Sequence, residues 1–314
     1  MNAVTELAAA RSRATAADAA ASRTRLQRRI ALAVIIIPFL GTLLAASLVW
    51  RNGIGLVEIL SFVLMYLVAM AGVSIGFHRL FTHKAFDTGK RTRVALAVMG
   101  SMAAQGPLLF WAAMHRRHHA FSDRPGDPHS PHRDGEEEVT GLRGLWHAHI
   151  GWMLSEDAAD WVSFARDLMH DRTVFRIHQH YFLWLIAGLA LPAVVAGLAT
   201  LSWSGAALGF LWGGLVRTFA VNQASWCVGS VCHYIGARPF QTHDHSANNY
   251  AVAVLTFGEG LQNNHHAFPS SARHGLVWWE PDFSGTMIGL LARAGLVWNV
   301  RHPTPEAIAR VRRA

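Results

Sequence analysis

Histidine is concentrated in this sequence, and its spacing is the first indication of chemistry. The chain has 19 histidines among 314 residues. Eight of them fall in four short groups. The groups are His78 and His83 in HRLFTH, His115, His118 and His119 in HRRHH, His233 alone, and His265 and His266 in QNNHH. Because residues i, i+3 and i+4 share one face of a helix, the three imidazoles of HRRHH can converge on one point.

These spacings predict metal binding. The same helical rule brings Gln262, which begins QNNHH, onto the face of the two histidines that follow it. His78 and His83 lie roughly 140° apart on an ideal helix, so they need a helix end or a broken turn to meet. Imidazole suits iron, zinc, copper and nickel, and one ion takes about four to six ligands. Eight histidines and an amide therefore predict two metal ions. HRRHH by itself also suits a basic patch against lipid phosphates.

Four long apolar runs must position these groups. The chain is 52% hydrophobic and 15% charged, whereas soluble domains average about 25% charged residues. A membrane-crossing helix needs about 20 apolar residues. The runs that meet this length are residues 30–50, 54–77, 181–203 and 206–226. A fifth, weaker run, Val94–Met114, contains Pro107 and is interpreted as a cytosolic or half-buried helix.

The distribution of charge predicts the orientation. Six arginines precede the first run, and the short loops 51–53 and 204–205 carry one charge between them. By the positive-inside rule the N-terminus is cytoplasmic and the spans pair as two hairpins. The rule also accounts for the net charge of +8 without nucleic acid binding. Residues 1–29 are expected to form a basic cytoplasmic N-terminus, disordered or loosely helical, ahead of a single membrane domain, residues 30–314.

The predicted fold class is therefore all-α, with four transmembrane helices in two hairpins. A cytoplasmic helical cap, residues 78–180 and 227–314, is expected to hold a histidine-ligated di-metal site. The protein is then a multi-pass membrane protein with both termini and its active site in the cytoplasm.

Five segments between about Phe77 and Leu276 resemble the membrane fatty acid desaturases, and most closely the stearoyl-CoA desaturase branch. GFHRLFTH resembles the first histidine box of that family, HRRHHAFSDRPGDPH the second box with its tail, and GEGLQNNHHAFPSSARHGL the third. RGLWHAHIGWM resembles the segment after the second box, and SWCVGSVCHYIGARPF resembles the segment with an isolated ligand histidine. Each box alone is modestly specific, but their order between two hydrophobic hairpins is very specific.

The resemblance implies that the eight grouped histidines are the metal ligands, with Gln262 as a further candidate. The chain departs from the stearoyl-CoA desaturase pattern at two positions. Gln262 replaces a histidine, and Gly229 replaces an asparagine that contacts a metal through water. A glutamine oxygen can ligate iron or hold water, whereas glycine can do neither. Both changes are expected to affect the same metal, with His243 or His245 as possible substitutes. An inactive homologue is the alternative.

Residues near the boxes are expected to orient the imidazoles and to hold the substrate. Carboxylates commonly orient ligating imidazoles, and Glu259 is the first choice here, with helix capping as its alternative role. The predicted orienting residues are Glu259, Asp123, Asp127 and Asn264, and the predicted acyl-chain tunnel residues are Gln105, Trp111, Trp152, Arg217 and Trp226. For Arg217, a charge inside a span, the alternative is a side chain that extends to the membrane interface.

The resemblance also implies the reaction, which is O2-dependent desaturation of a saturated fatty acyl chain to give a cis double bond. It implies two Fe2+ ions as cofactors and O2 as co-substrate. The acyl chain would be linked to CoA, to a carrier protein or to a membrane lipid. With two cysteines the chain cannot hold a ferredoxin cluster. A separate electron donor is therefore expected, such as ferredoxin or a cytochrome b5-like protein with its reductase.

Two other functions fit the same sequence. The histidine boxes do not separate desaturation from hydroxylation, so a membrane di-iron hydroxylase or lipid monooxygenase is the first alternative. A non-catalytic metal-binding membrane protein or transporter is the second. Transport sites normally lie near the membrane midplane, whereas these histidines lie at span ends and in the predicted cap.

Overall fold

The computed structural model describes residues 3–155 and 161–313, with only the backbone described for residues 3–23 and Trp161. The structure is mostly helical, which confirms the predicted fold class. Its α-helices are α1 Ala3–Asn52, α2 Leu56–Ala71, α3 Lys90–Ser101, α4 Leu108–Phe121, α5 Gly141–His149, α6 Trp161–Phe164, α7 Arg166–His170, α8 Arg172–Gln179, α9 Tyr181–Thr200, α10 Trp203–Gly209, α11 Arg217–Gly229, α12 Tyr250–Leu255, α13 Gln262–Ala267, α14 Phe283–Arg293 and α15 Pro305–Val311.

Two short antiparallel strand pairs complete the regular structure. The strands are β1 Asp87–Thr88, β2 Arg133–Asp134, β3 Glu137–Glu138 and β4 Val297–Trp298. β1 pairs with β4, so that Asp87 lies opposite Trp298, and β2 pairs with β3 in a hairpin. The first pair joins the segment after the first histidine box to the C-terminal part of the cap.

Four helices are long and apolar enough to cross a membrane, as predicted. They are Thr24–Asn52, Leu56–Thr82, Tyr181–Thr200 and Trp203–His233. The second extends α2 through a π-helical segment, Gly72–Thr82, and the fourth joins α10 and α11 through another, Phe210–Val216. This second π-helical segment contacts the other three spans. Gly209 just before it permits close packing, because an added Cβ would lie 2.3 Å from the Pro192 carbonyl oxygen.

The N-terminal segment differs from the disordered alternative. α1 is continuous from Ala3, so the described part of residues 1–29 is helical, while Met1 and Asn2 lie outside the described residues. The segment is rich in alanine and arginine, which are strong helix formers. A span that is already helical supplies the costly nucleus from which such a sequence can continue.

The fifth apolar run forms two helices instead of one. α3 ends at Ser101 and α4 begins at Leu108, with Pro107 as its N-cap at φ −65°. Between them, Ala104 and Gly106 adopt positive φ angles of 63° and 92°. Proline lacks the backbone N–H that a helix interior needs, so the chain breaks at this position. The break directs α4, which carries HRRHH, as a separate element toward the ends of the spans.

Arg217 does not extend to the membrane interface. It is fully buried between spans. Its Nε donates to the Gly213 carbonyl at 3.0 Å, its Nη1 to that of Met102 at 2.9 Å, and its Nη2 to that of Gly188 at 3.1 Å. The guanidinium therefore connects three parts of the chain. Its positive charge is stabilised by hydrogen bonds to backbone carbonyl oxygens, which hydrocarbon could not provide.

Candidate metal centre

The nitrogens of five histidines converge on one point. The group comprises His78, His83, His115, His119 and His265, whose ligating nitrogens all lie within 4.8 Å of one another. The Nε2 atoms are 3.1 Å apart between His78 and His265 and 2.9 Å apart between His119 and His265. Those of His83 and His119 each lie 3.0 Å from that of His115. We call these residues the five-histidine group.

These separations fit a bound metal ion better than a chain of hydrogen bonds. The Nε2 atoms of His115, His119 and His265 each have two such neighbours. A neutral imidazole nitrogen either donates one proton or accepts, so it cannot serve a continuous chain of this kind. Two ligands about 2.1 Å from one ion are about 3.0 Å apart at a right angle and about 3.4 Å apart at a tetrahedral angle. The observed spacing matches the right angle.

A widened helical turn brings His78 and His83 together. Both belong to the end of the second span, where residues 72–82 form a π-helix with hydrogen bonds from residue i+5 to residue i. The His83 backbone N–H donates to the His78 carbonyl at 3.1 Å. The two rings, five positions apart, consequently lie with centroids 4.8 Å apart. The broken turn that the sequence required is therefore a π-helical one.

Three other histidines form a second group. The ligating nitrogens of His118, His233 and His266 lie within 4.8 Å of one another. The buried Nε2 atoms of His233 and His266 have no hydrogen-bond partner in the described part of the chain. A buried polar nitrogen without a partner is costly, so it is strong evidence for a ligand that completes it. We call this the three-histidine group.

Each imidazole of the three-histidine group is held through its other nitrogen by a carboxylate. The Nδ1 atoms contact Asp127 at 3.0 Å from His118, Asp123 at 2.9 Å from His233 and Asp244 at 2.5 Å from His266. A carboxylate on Nδ1 fixes the proton there and leaves the Nε2 lone pair free for a metal ion. Asp123 and Asp127 lie where the sequence predicted orienting carboxylates. Asp244, 22 residues before His266, was not among the predicted orienting residues.

Burial sets the protonation of these groups. Burial, followed by repulsion from neighbouring imidazoles, lowers the pKa of four histidines of the five-histidine group well below the usual value. The four are His83, His115, His119 and His265. Burial disfavours the charge on Asp127, but the adjacent His118 outweighs it and brings the pKa of that carboxyl to about 2. At neutral pH these imidazoles are therefore neutral, as metal binding requires, beside an ionised carboxylate.

Glu259 contacts the five-histidine group through His78. Its carboxylate contacts the His78 Nδ1 and the Ser74 hydroxyl, and it lies 3.2 Å from the Arg79 guanidinium. Arg79 is fully buried and also lies 2.9 Å from Asp282. This arrangement agrees with the imidazole-orienting role predicted for Glu259 and not with helix capping. No role was predicted for Arg79 or Asp282, although Arg79 directly follows His78 in the first box.

Gln262 and Gly229 occupy different surroundings. Gln262 is buried at the start of α13, and its Oε1 has no hydrogen-bond partner among the described residues. At Gly229 an added Cβ would lie 3.1 Å from the Nδ1 of His129. The His129 ring stacks on His118 at a centroid distance of 4.5 Å. His129 therefore occupies the space beside Gly229, and the sequence reasoning missed it although it ends the GDPH segment of the second box.

Three of the five predicted tunnel residues lie beside the histidine groups. The Trp111 ring stacks on His115 at 5.0 Å, and its Nε1 donates to Gln105 at 3.1 Å. Trp152 lies 5.5 Å from the His129 ring. Trp226 is farther along the fourth span, where its ring contacts His149. The fifth, Arg217, is buried between spans as described above, and the tunnel role of all five stays a prediction.

Asn264 and the suggested substitute ligands, His243 and His245, make contacts other than those predicted. Asn264 bonds to Asn248 at 2.7 Å, to the His274 carbonyl and to Glu280. It thus fixes α13 in place instead of contacting an imidazole. Of the suggested substitute ligands, His245 packs its ring on His132 at 4.2 Å, whereas His243 lines a surface cavity together with His83, His119 and His266.

His274 is a buried histidine that the sequence reasoning did not single out. Its ring centroid lies 4.5 Å from that of His265, and Glu259 lies 3.8 Å from its Nδ1. Burial, followed by the charge of Arg79, lowers its pKa to about 3. The only sequence signal was its place in SARHGL, at the end of the third-box segment and eight residues after His266.

The sequence matches a known family over most of its length. Residues 55–281 match the sequence profile described as "Fatty acid desaturase". The chain is 44% identical over 285 residues to a hex-5-enoyl-[acyl-carrier protein] acetylenase from Moorena producens, covering 90% of this chain and 89% of that protein. It is 38% identical to an sn-1 stearoyl-lipid 9-desaturase from Anabaena variabilis, covering 76% of this chain and 81% of that protein.

A third relative is acyl-CoA desaturase 1 from Saccharomyces cerevisiae, 31% identical over 78% of this chain and 46% of the relative. Histidine groups that could hold metal ions thus occur, together with four helices long and apolar enough to cross a membrane, in a chain with desaturase relatives. This protein belongs to the fatty acid desaturase family. It is an enzyme of lipid metabolism that acts on a fatty acyl substrate, which confirms the family and enzyme class predicted from the histidine boxes.

Proposed function

We propose that this protein is a di-iron desaturase that uses O2 to introduce a cis double bond into a saturated fatty acyl chain. The observation that carries the proposal is the convergence of five imidazole nitrogens beside a second group of three. Structural zinc sites are almost always four-coordinate, and zinc takes tetrahedral angles there. Five nitrogens at right-angle spacing instead favour a metal such as iron, which accepts more ligands.

The residues have distinct tasks in this proposal. The eight histidines would hold the two ions, and when bound these ions supply the O2 chemistry that breaks unactivated C–H bonds. The carboxylates of Asp123, Asp127 and Asp244 keep the Nδ1 protons of their imidazoles in place. The half-buried side chains of Gln105 and Trp111 beside His115 would provide a surface on which to position an acyl chain.

The overall reaction balances with an external reductant. Two hydrogens leave adjacent methylene groups, and O2 takes these hydrogens together with two electrons and two protons to form two water molecules. The described part of this chain has no other redox centre that could supply the two electrons. A separate carrier, ferredoxin or a cytochrome b5-like protein with its reductase, is therefore part of the proposal, as are a cytoplasmic cap and cytoplasmic termini.

Expression in a desaturase-deficient host, followed by lipid mass spectrometry, tests this function. We expect acyl chains lighter by 2 mass units, that is, by two hydrogens. Products heavier by one oxygen atom would instead identify a hydroxylase. No product, together with one zinc ion per chain, would support the non-catalytic alternative.

A second candidate reaction has its own support. The relative from Moorena producens is named for acetylene formation on a hex-5-enoyl carrier-protein substrate and matches 90% of this chain. An acetylenase removes two further hydrogens from an existing alkene. Feeding saturated and terminally unsaturated acyl chains separately would distinguish the two reactions. An alkyne formed only from the alkene, with no alkene from the saturated chain, would replace the desaturase proposal.

A further inference from the structure

A second cavity, outside the histidine groups, combines positive charge with aromatic surface. Its volume is ≈ 540 Å³, and Arg238, Arg312, Arg313, Tyr250 and Trp279 are among the residues that line it. The arginines come from two segments, the loop after the fourth span and the C-terminal end of the chain. Hydrogen bonds join these segments, from the Arg313 N–H to the Pro239 carbonyl at 2.8 Å and from the Arg313 Nε to the Phe240 carbonyl at 3.2 Å.

The three guanidinium groups lack a direct carboxylate partner among the described residues, although the charges of Asp244 and Asp123 act on Arg238 from a greater distance. Among the described residues, none of them forms a salt bridge to a carboxylate. Arg238 donates to the backbone carbonyl of Asp244, while its buried Nε has no partner in the described part of the chain. Burial, followed by the charge of Arg313, lowers the pKa of Arg238. Cationic side chains that repel one another around a cavity favour an anionic ligand.

The single acidic residue among those that line the cavity is already engaged. Glu280 Oε2 accepts from Asn264 at 2.8 Å and from the Leu276 N–H at 2.7 Å. Burial raises the pKa of this carboxyl, and hydrogen bonds from the Leu276 and Val277 N–H groups and from Asn264 oppose that shift. Glu280 is thus committed to holding α13 and does not compensate for the arginines.

The cavity lies near the second span, which is long and apolar enough to cross a membrane. The Tyr66 hydroxyl of the second span donates to the Leu255 carbonyl at 2.7 Å, which places the end of α12 against that span. Tyr250 begins α12 and contacts Trp279 at a ring distance of 5.1 Å. At 1.5 Å per residue, Tyr250 is only about 8 Å along α12 from Leu255. That distance is comparable to the thickness of one head-group layer, roughly 5–8 Å.

Exposed apolar residues around the cavity support this placement. Trp278 is 92% exposed, Leu255 55% and Trp279 52%. Tryptophan and tyrosine concentrate at membrane interfaces, where one part of the ring system contacts lipid and another contacts polar groups. Arginines at the same level attract lipid phosphates. Acyl chains would meet the apolar residues and the head group would meet the arginines.

We propose that this cavity binds the phosphate of a membrane phospholipid, with Arg238, Arg312 and Arg313 as its cationic wall and Tyr250 and Trp279 as its apolar wall. A lipid bound here would also be coupled to the third histidine box. Phe240 forms hydrogen bonds with Asn263, and Glu280 with Asn264, both on α13. The proposal depends on the membrane location of the protein and not on which reaction it performs.

Lipid retention by the full-length purified protein tests the proposal. Native mass spectrometry would follow binding of phosphatidylglycerol to the wild type, to Arg312→Gln/Arg313→Gln and to Arg310→Gln. Arg310 is an exposed arginine in the last turn of α15, just before Arg312 and Arg313, and it does not line the cavity. We expect the double variant to bind at least about tenfold more weakly, because charge-assisted hydrogen bonds are lost. The Arg310→Gln control should bind like the wild type.

Three outcomes would overturn the assignment. Equal retention by all three proteins would mean that the arginines do not bind the lipid. Displacement of the lipid by millimolar inorganic phosphate would indicate a simple anion site. Tighter binding of coenzyme A than of phosphatidylglycerol, through the same arginines, would identify a nucleotide site. Trp279→Ala provides a second test, since it should weaken lipid binding while leaving the charge of the cavity unchanged.

Discussion

Replacing Asp123 by asparagine is expected to release one metal ion and leave the other bound. Asp123 Oδ2 accepts from the His233 Nδ1 at 2.9 Å and from the His245 N–H at 2.8 Å, while Oδ1 accepts from Ser130 at 2.6 Å. Asparagine has only one accepting atom in place of two. Even with that oxygen turned toward His233, asparagine carries no negative charge, so His233 loses the charge-assisted hydrogen bond that fixes its tautomer.

The size of the effect follows from this lost contact. Removing the partner of a ligating imidazole typically weakens metal binding 10- to 100-fold, or by about 1.4–2.7 kcal/mol. Only the three-histidine group should be affected, because the contacts of Asp123 with a grouped histidine are confined to His233. The five-histidine group has its own support from Glu259.

Chelator titration with iron analysis would measure this directly. The wild type should lose two ions at high chelator concentration, whereas Asp123→Asn should lose one of them at a 10- to 100-fold lower concentration. Asp134→Asn is the matched control, because Asp134 faces His147, a histidine outside both groups, at 3.5 Å. Identical titration curves for Asp123→Asn and the wild type would refute the assignment of Asp123.

Three further predictions concern single positions. Gly229→Ala should lower the rate of product formation about tenfold, because its Cβ would press on His129 at 3.1 Å. The control Gly289→Ala should leave the rate unchanged, because nothing lies within 4 Å of a Cβ added there. Equal rates for the two variants would contradict this packing account. Gln262→His should retain activity in the same lipid assay, and total loss would mean that the amide has its own specific role. In chelator-treated protein, the thermal unfolding midpoint should fall as the pH drops from about 6.5 toward 4. This follows because unfolding lets His274, with its pKa of about 3 when folded, take up a proton, as do the four histidines of the five-histidine group whose pKa is lowered; each contributes up to about 1.4 kcal/mol per pH unit. His274→Gln should flatten this slope relative to the exposed His302→Gln control, and an unchanged slope would show that His274 does not cause it.

The features that could be predicted from the sequence are those that a local pattern of residues encodes. Hydropathy located four spans because each needs an uninterrupted apolar run. The i, i+3 and i+4 spacing of His115, His118 and His119 places them on one face of α4, and this face meets both histidine groups. The spacing of His78 and His83 indicated a broken turn, although not that it would be a π-helix.

Contacts between residues far apart in the sequence could not be predicted from local patterns. Asp244 reaches His266 across 22 residues, and Glu259 reaches His78 across 181, through tertiary packing that no local spacing encodes. His129 became relevant only because its ring fills the space beside Gly229, 100 residues away. Arg217 was identifiable as a costly charge in a span, but its three carbonyl partners come from separate segments.

Iron content and unsaturated product, measured on the same preparations of the wild type and His118→Ala, test the central claim most directly. His118 links α4 to the three-histidine group and is held by both oxygens of Asp127 at 3.0 Å. We expect two iron ions per chain and unsaturated product from the wild type. From His118→Ala we expect fewer than two ions and no product. Full activity in the variant, or an active wild type that holds no iron, would contradict a histidine-bound iron pair as the site of desaturation.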